Sequence, residues 1–151
     1  MAAFLPPIPI GPRLAYKRSA TPLTTGTLWT VTGGIIITEI YGIVRTTVAA
    51  SATTVRLSGK NDSLTAVNYD SGTLDLTGAV AGSVIARPAA LASAMVLYAN
   101  GSALNLNLQN TPLFLIPTTS AVITVTYGAA TAGVIDWYML YMPLISNSTV
   151  V

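Results

Sequence analysis

Cysteine and histidine are both absent from the 151 residues, and only 8% of the residues are charged. Without cysteine there is no disulfide framework. Without either residue there is no cysteine–histidine nucleophile pair, no Ser-His-Asp triad and none of the usual zinc sites. An average soluble protein carries about 25% charged residues, so this chain has too few to cover a freely dispersed monomer in the ordinary way. Long apolar runs are missing as well. Mean hydropathy is +0.63, yet no stretch reaches the roughly 18 uncharged apolar residues of a spanning helix, and the richest, 79–98, has Arg87-Pro88 near its centre. The N-terminus lacks a basic leader region, and Pro6, Pro7 and Pro9 break its apolar run, which argues against a secretory signal. An outer-membrane barrel would need such a signal and a polar lumen. No membrane partner is expected.

What the chain has in quantity is uncharged polarity: 21 Thr and 11 Ser. Threonine is β-branched, favours strands and keeps their outer sides wet without charge. The net charge of +2 is unevenly placed. Arg13, Lys17 and Arg18 meet no acid in the first eighteen residues, whereas the remainder carries Arg45, Arg56, Lys60 and Arg87 against Glu39, Asp62, Asp70, Asp75 and Asp136. So few cations make no basic patch on a folded body, and no nucleic-acid partner is expected.

A chain near 150 residues fits one domain with a substantial core. Residues 1–22 hold five of the nine prolines, show no clear period, and carry Phe4, Leu5, Ile8, Ile10, Leu14 and Tyr16. Proline restricts φ and removes a donor, so this segment reads as an extended Pro-rich N-terminal arm, too apolar for a solvated tail. Residues 23–151 read as the folded domain. From Thr27 the apolar pattern has period 2 between Gly, Asn and Pro punctuation: strands over 27–32, 35–48, 54–58, 73–77, 95–99, 103–108, 113–116, 121–127 and 134–142. Gly42 is the expected bulge or bend, GKND (59–62) a turn, Asn100-Gly101 a hairpin, and the Ala-rich 79–94 one short strand with a helical turn. No repeat of fixed period points to a propeller or solenoid. The expected fold is all-β, a single jelly-roll-like antiparallel β-sandwich of about eight strands.

Two strands are apolar on both sides. In 134–142, Ile135, Trp137, Met139 and Tyr141 alternate with Val134, Asp136, Tyr138, Leu140 and Met142. In 35–48, a core face of Ile36, Ile40, Val44 and Val48 opposes Ile35, Ile37, Tyr41 and Ile43 beside Glu39 and Arg45. A strand in a two-sheet sandwich has one inside. The expected subunit interface is therefore Ile35, Ile37, Tyr41, Ile43, Val134, Tyr138, Leu140 and Met142, in a homo-oligomer, most simply a trimer.

Candidate chemistry is sparse. Asp62, Asp70 and Asp75 do not have the spacing of a calcium loop, five acids leave little for a glycosidase pair, and the glycines lack the strand–loop–helix context of a phosphate site. Three Asn-x-Ser/Thr triplets begin at Asn61, Asn100 and Asn147 and read as turns. Trp29, Trp137 and seven tyrosines suit cross-strand packing, with a sugar-stacking platform as the alternative. No catalytic residue, metal or cofactor is expected, and an enzyme is not.

The opening TGTLWTVTGG (25–34), the long IIITEIYGIVRTTV and the closing GVIDWYMLYMPL (133–144) resemble the small β-sandwich or jelly-roll decoration (cement) proteins of tailed-bacteriophage heads. That resemblance implies a trimer on the outer capsid surface, made in the host cytoplasm, clamping neighbouring capsomers of the major capsid protein. It makes Phe4, Leu5, Ile8, Ile10, Arg13, Lys17 and Arg18 the capsid-contact arm. A receptor- or glycan-binding module of a head or tail fibre is the alternative function.

Overall fold

The computed structural model describes residues 11–61, 71–86, 93–102, 114–116 and 120–151. The described residues are all β, without helix: β1 (Arg13–Arg18), β2 (Gly26–Thr32), β3 (Ile35–Thr46), β4 (Thr54–Asn61), β5 (Leu74–Asp75), β6 (Val84–Ala86), β7 (Val96–Tyr98), β8 (Phe114–Ile116), β9 (Ser120–Tyr127), β10 (Val134–Pro143) and β11 (Thr149–Val150). One sheet runs β1-β10-β3-β6-β7, with β8 also on β3; the other runs β11-β2-β9-β4-β5. The antiparallel pairs β1·β10, β2·β9, β3·β6 and β4·β5 are nested within one another along the chain. Rolling that ribbon adds β10·β3 and β9·β4, which is the topology of a jelly roll.

The alternation seen in the sequence becomes two layers. From β9, Ala121, Ile123, Val125 and Tyr127 point into the core, and from β10, Ile135, Trp137, Met139 and Tyr141 meet them. Trp137 Nε1 donates to Tyr127 Oη at 3.2 Å across the two sheets, and burial pushes the Tyr127 hydroxyl up to about 12. Leu28 and Trp29 of β2 are both buried although adjacent, because the β2·β9 register shifts between Thr27 and Trp29.

The same device overturns part of the expected face assignment on β3. Leu140 pairs with Glu39 and Tyr141 with Ile37, so Thr38 is an extra residue on β3, a β-bulge. The bulge reverses the alternation: Ile35 and Ile37 lie inward at 0% exposure beside Ile40 and Val44, and Ile36 turns outward. Ile35 and Ile37 are therefore core residues and not subunit-contact candidates. Gly42 is not the bulge. It sits in register with Trp137, and a Cβ there would lie 3.0 Å from Ile135 Cγ2 and from Trp137 Cε3 and Cζ3. Its lack of a side chain makes room for the indole. Gly42→Val should accordingly destabilise by about 1–3 kcal/mol through overpacking, measured by urea unfolding; a neutral result would mean that the indole lies elsewhere.

Three other expectations change. Gly59, Lys60 and Asn61 continue β4, paired to Ile123, Val122 and Ala121, and are not a turn. The strand expected over 73–77 shortens to β5, with Leu76 buried beyond it. The arm does not extend to residue 22, since 13–18 form β1 in the larger sheet. Asn100-Gly101 does form a turn, with Gly101 at φ 81° and Ser102 N donating to Ala99 O at 3.0 Å. The strand expected at 103–108, the remainder of the Ala-rich stretch at 87–92, Asp62 and Asp70 lie outside the described residues.

Candidate interaction face on the larger sheet

The outer faces of the two sheets differ in chemistry. On the smaller sheet the strands present hydroxyls beside a cation: Thr30 on β2, Arg56 and Ser58 on β4, and Thr124 and Thr126 on β9. Val122 of β9, half-buried and in register with Thr30, is an apolar residue on that face. On the larger sheet β3 and β10 present Ile36, Tyr41, Ile43, Val134, Tyr138, Leu140 and Met142, all half-buried, and β1 adds Leu14 and Tyr16 at 59% and 50% exposure.

Cross-strand register builds this face in rows. Tyr16, Tyr138 and Tyr41 are successive partners across β1, β10 and β3. The Tyr41 and Tyr138 rings stack with centroids 5.0 Å apart and 14° between planes, and Tyr16 tilts against Tyr138 at 5.4 Å. Stacking covers the facing sides of the Tyr41 and Tyr138 rings, while Tyr16 is tilted and half exposed. Leu14, Leu140 and Glu39 form the row on one side. Burial raises the Glu39 carboxyl above its usual range.

The row on the other side is polar and closed. The Asp136 side chain is only 2% exposed. Arg18 Nε and Nη2 donate to its two oxygens at 2.8 and 3.1 Å, Arg45 Nε donates at 2.7 Å, and Tyr16 Oη donates at 3.0 Å. Four donors meet the roughly four lone-pair sites of a carboxylate. The Arg18 hydrogen bonds, helped by those of Arg45 and Tyr16, hold the Asp136 carboxyl far below the ordinary range against the opposing effect of desolvation. The same bond to Asp136 raises Arg18 and Arg45 further. Such a saturated carboxylate has neither a free lone pair nor a proton to give. It is a structural hub that ties β1 and β3 to β10.

The expected site residues therefore separate. Tyr41, Ile43, Val134, Tyr138, Leu140 and Met142 share the outer face of the larger sheet. Arg18 is spent on the hub, while Arg13 and Lys17 point from the other side of β1, in register with Tyr141 and Trp137. Phe4, Leu5, Ile8 and Ile10 lie outside the described residues. Asp75 accepts from Thr77 N and Oγ1 at 2.9 and 2.6 Å, a local turn contact that lowers its pKa. The hub is what sequence reasoning missed. Its signals were the lone acid in an apolar strand and the alternation of Leu14, Tyr16 and Arg18, hidden beneath the proline pattern of the arm.

No family model, curated protein or solved structure matches this chain.

Proposed function

We propose that this chain is a non-enzymatic virion structural protein: a jelly-roll decoration or cement protein that sits as a homotrimer on the outer capsid surface of a tailed phage, contacts the major capsid protein and clamps neighbouring capsomers. The observation that carries the reading is the apolar, tyrosine-rich outer face of the larger sheet on a chain so sparsely charged. A half-buried apolar face bordered by the exposed Leu14 and Tyr16 suits an interaction site, and packing against neighbouring copies is its simplest cover. The contact residues are Tyr41, Ile43, Val134, Tyr138, Leu140 and Met142, joined by Ile36. The proline-rich segment before β1 is the capsid hook, since a chain already restricted to extended conformations loses less entropy on docking. Stabilisation of the head then follows mass action, because the protein binds only the assembled shell. The competing reading, a glycan- or receptor-binding module, is disfavoured by the stacking of Tyr41 on Tyr138.

Leu140→Lys tests the contact, lysine being chosen because Glu39 is its cross-strand neighbour. The variant should keep its melting temperature and lose its oligomeric state in native mass spectrometry. A wild-type chain that is a stable monomer at micromolar concentration would sink the proposal. On particles lacking the protein, deletion of residues 1–11 should remove attachment while leaving β1 intact; unchanged attachment would move the capsid contact to the sandwich body.

A further inference from the structure

Strand β1 ends its sheet, and no described strand pairs with its outer side. Ser19 N donates to Ile135 O, and the register runs back from that pair through Lys17↔Trp137, Ala15↔Met139 and Arg13↔Tyr141. In an antiparallel ladder the intervening residues turn their N–H and C=O groups the other way. Leu14, Tyr16 and Arg18 therefore present their backbone donors and acceptors at the open edge. Five of the six β1 residues are exposed and only Ala15 is buried.

The edge is cationic. Arg13 and Lys17 share one side of β1 and make no ion pair with any described residue, and the chain has no acid before Glu39. Positive side chains on an edge strand discourage pairing with an identical edge: a second β1 would bring three more cations and no acid. What repels a second copy attracts an acidic strand. Beside Lys17 an open cleft continues between the two sheets, walled on its far side by Thr24, Thr25, Gly26 and Thr27 at the start of β2. It leaves room for side chains projecting from an added strand.

We propose that the open edge of β1 is a strand-addition site for an extended acidic segment of a partner protein, whose acids alternate with apolar residues. The acids face Arg13, Lys17 and the cleft, and the apolar residues lie beside Leu14 and Tyr16 on the outer face. Main-chain bonds to Leu14, Tyr16 and Arg18 supply affinity, and the alternating side chains supply selectivity. This site does not rest on the virion reading: its main-chain bonds use the rim of the sheet, and its apolar row only adjoins the outer-face contact through Leu14 and Tyr16.

The probe is a peptide of about ten residues alternating glutamate and valine, long enough to run past β1, titrated onto the full chain and followed by backbone NMR. Binding should slow amide exchange at Leu14, Tyr16 and Arg18, and should weaken as salt rises. Added antiparallel, the peptide pairs its valines with those three residues, so N-methylation of the valine nitrogens should abolish binding while N-methylation of the glutamates leaves it; parallel addition would reverse the two. The double variant R13E/K17E, at two exposed positions, should keep its melting temperature and bind about tenfold more weakly. Equal binding of a control peptide alternating lysine and valine, indifference to methylation of both sets of nitrogens, or no binding of the acidic peptide would each overturn the proposal. None of these outcomes bears on whether the chain oligomerises or attaches to a particle.

Discussion

Trp137→Ala is expected to lower the unfolding free energy by about 3–5 kcal/mol, seen as a lower urea midpoint at unchanged slope. The indole is fully buried, with Gly42 opposite it in the register and Ile135 one step along the same inner face. Truncation opens a cavity in the middle of the larger sheet, which a jelly roll tied on both sides of β10 cannot easily close. It also removes the indole donor that reaches the Tyr127 hydroxyl from the opposite sheet. Trp137→Phe separates the two effects: most of the volume stays, and the buried Tyr127 hydroxyl loses its partner at a cost of about 1–3 kcal/mol. Trp29→Phe should cost less than Trp137→Phe, since Trp29 Nε1 is buried with no acceptor among the described residues. A loss below about 1 kcal/mol for Trp137→Ala, within the range of surface substitutions, would mean that β10 presents its other face to the core.

Asp136→Asn is expected to release β1 from the sheet while leaving the rest of the sandwich folded. β1 buries only Ala15, so it is held by its ladder to β10 and by the bonds that Arg18 and Tyr16 make to Asp136. An asparagine accepts with one oxygen and turns an amide donor toward the guanidinium groups. Amide exchange of Ala15, Lys17 and Ser19 should then accelerate by orders of magnitude, while that of Ile123 and Val125 in β9 stays slow. Protection of β1 equal to that of β9 in the variant would refute the hub. Acid provides the second readout. The folded-state pKa of Asp136 is depressed, so its contribution is complete above the unfolded value of about 3.9 and fades as pH falls from there toward the folded pKa. Wild-type stability should decline below about pH 4, and the decline should be shallower in the variant. Asp75 titrates with the same sign and Glu39 with the opposite one, so the difference between wild type and variant isolates Asp136.

How much was legible in the sequence differs from strand to strand. β9 and β10 were readable residue by residue because their alternation is unbroken: SAVITVTY and VIDWYMLYM carry their own inside and outside. β3 was readable as a strand but not as a face. A period-2 pattern describes one strand, whereas a bulge is a relation between two, and the extra Thr38 opposite Leu140 moved Ile35 and Ile37 from the expected contact surface into the core. β1 was not readable as a strand. Its only core side chain is Ala15, so it has almost no hydrophobic period to show, and what holds it is Asp136, 118 residues away from Arg18. The all-β class and the apolar character of β10 on both sides follow from the amino-acid order alone, because alternation and turn residues act over a few positions; about eight strands were expected and eleven are described. The order of strands within the sheets, the row of three tyrosines and the closed carboxylate hub were decided only by the tertiary structure, because each depends on partners brought together from far along the chain by the rolling of the ribbon.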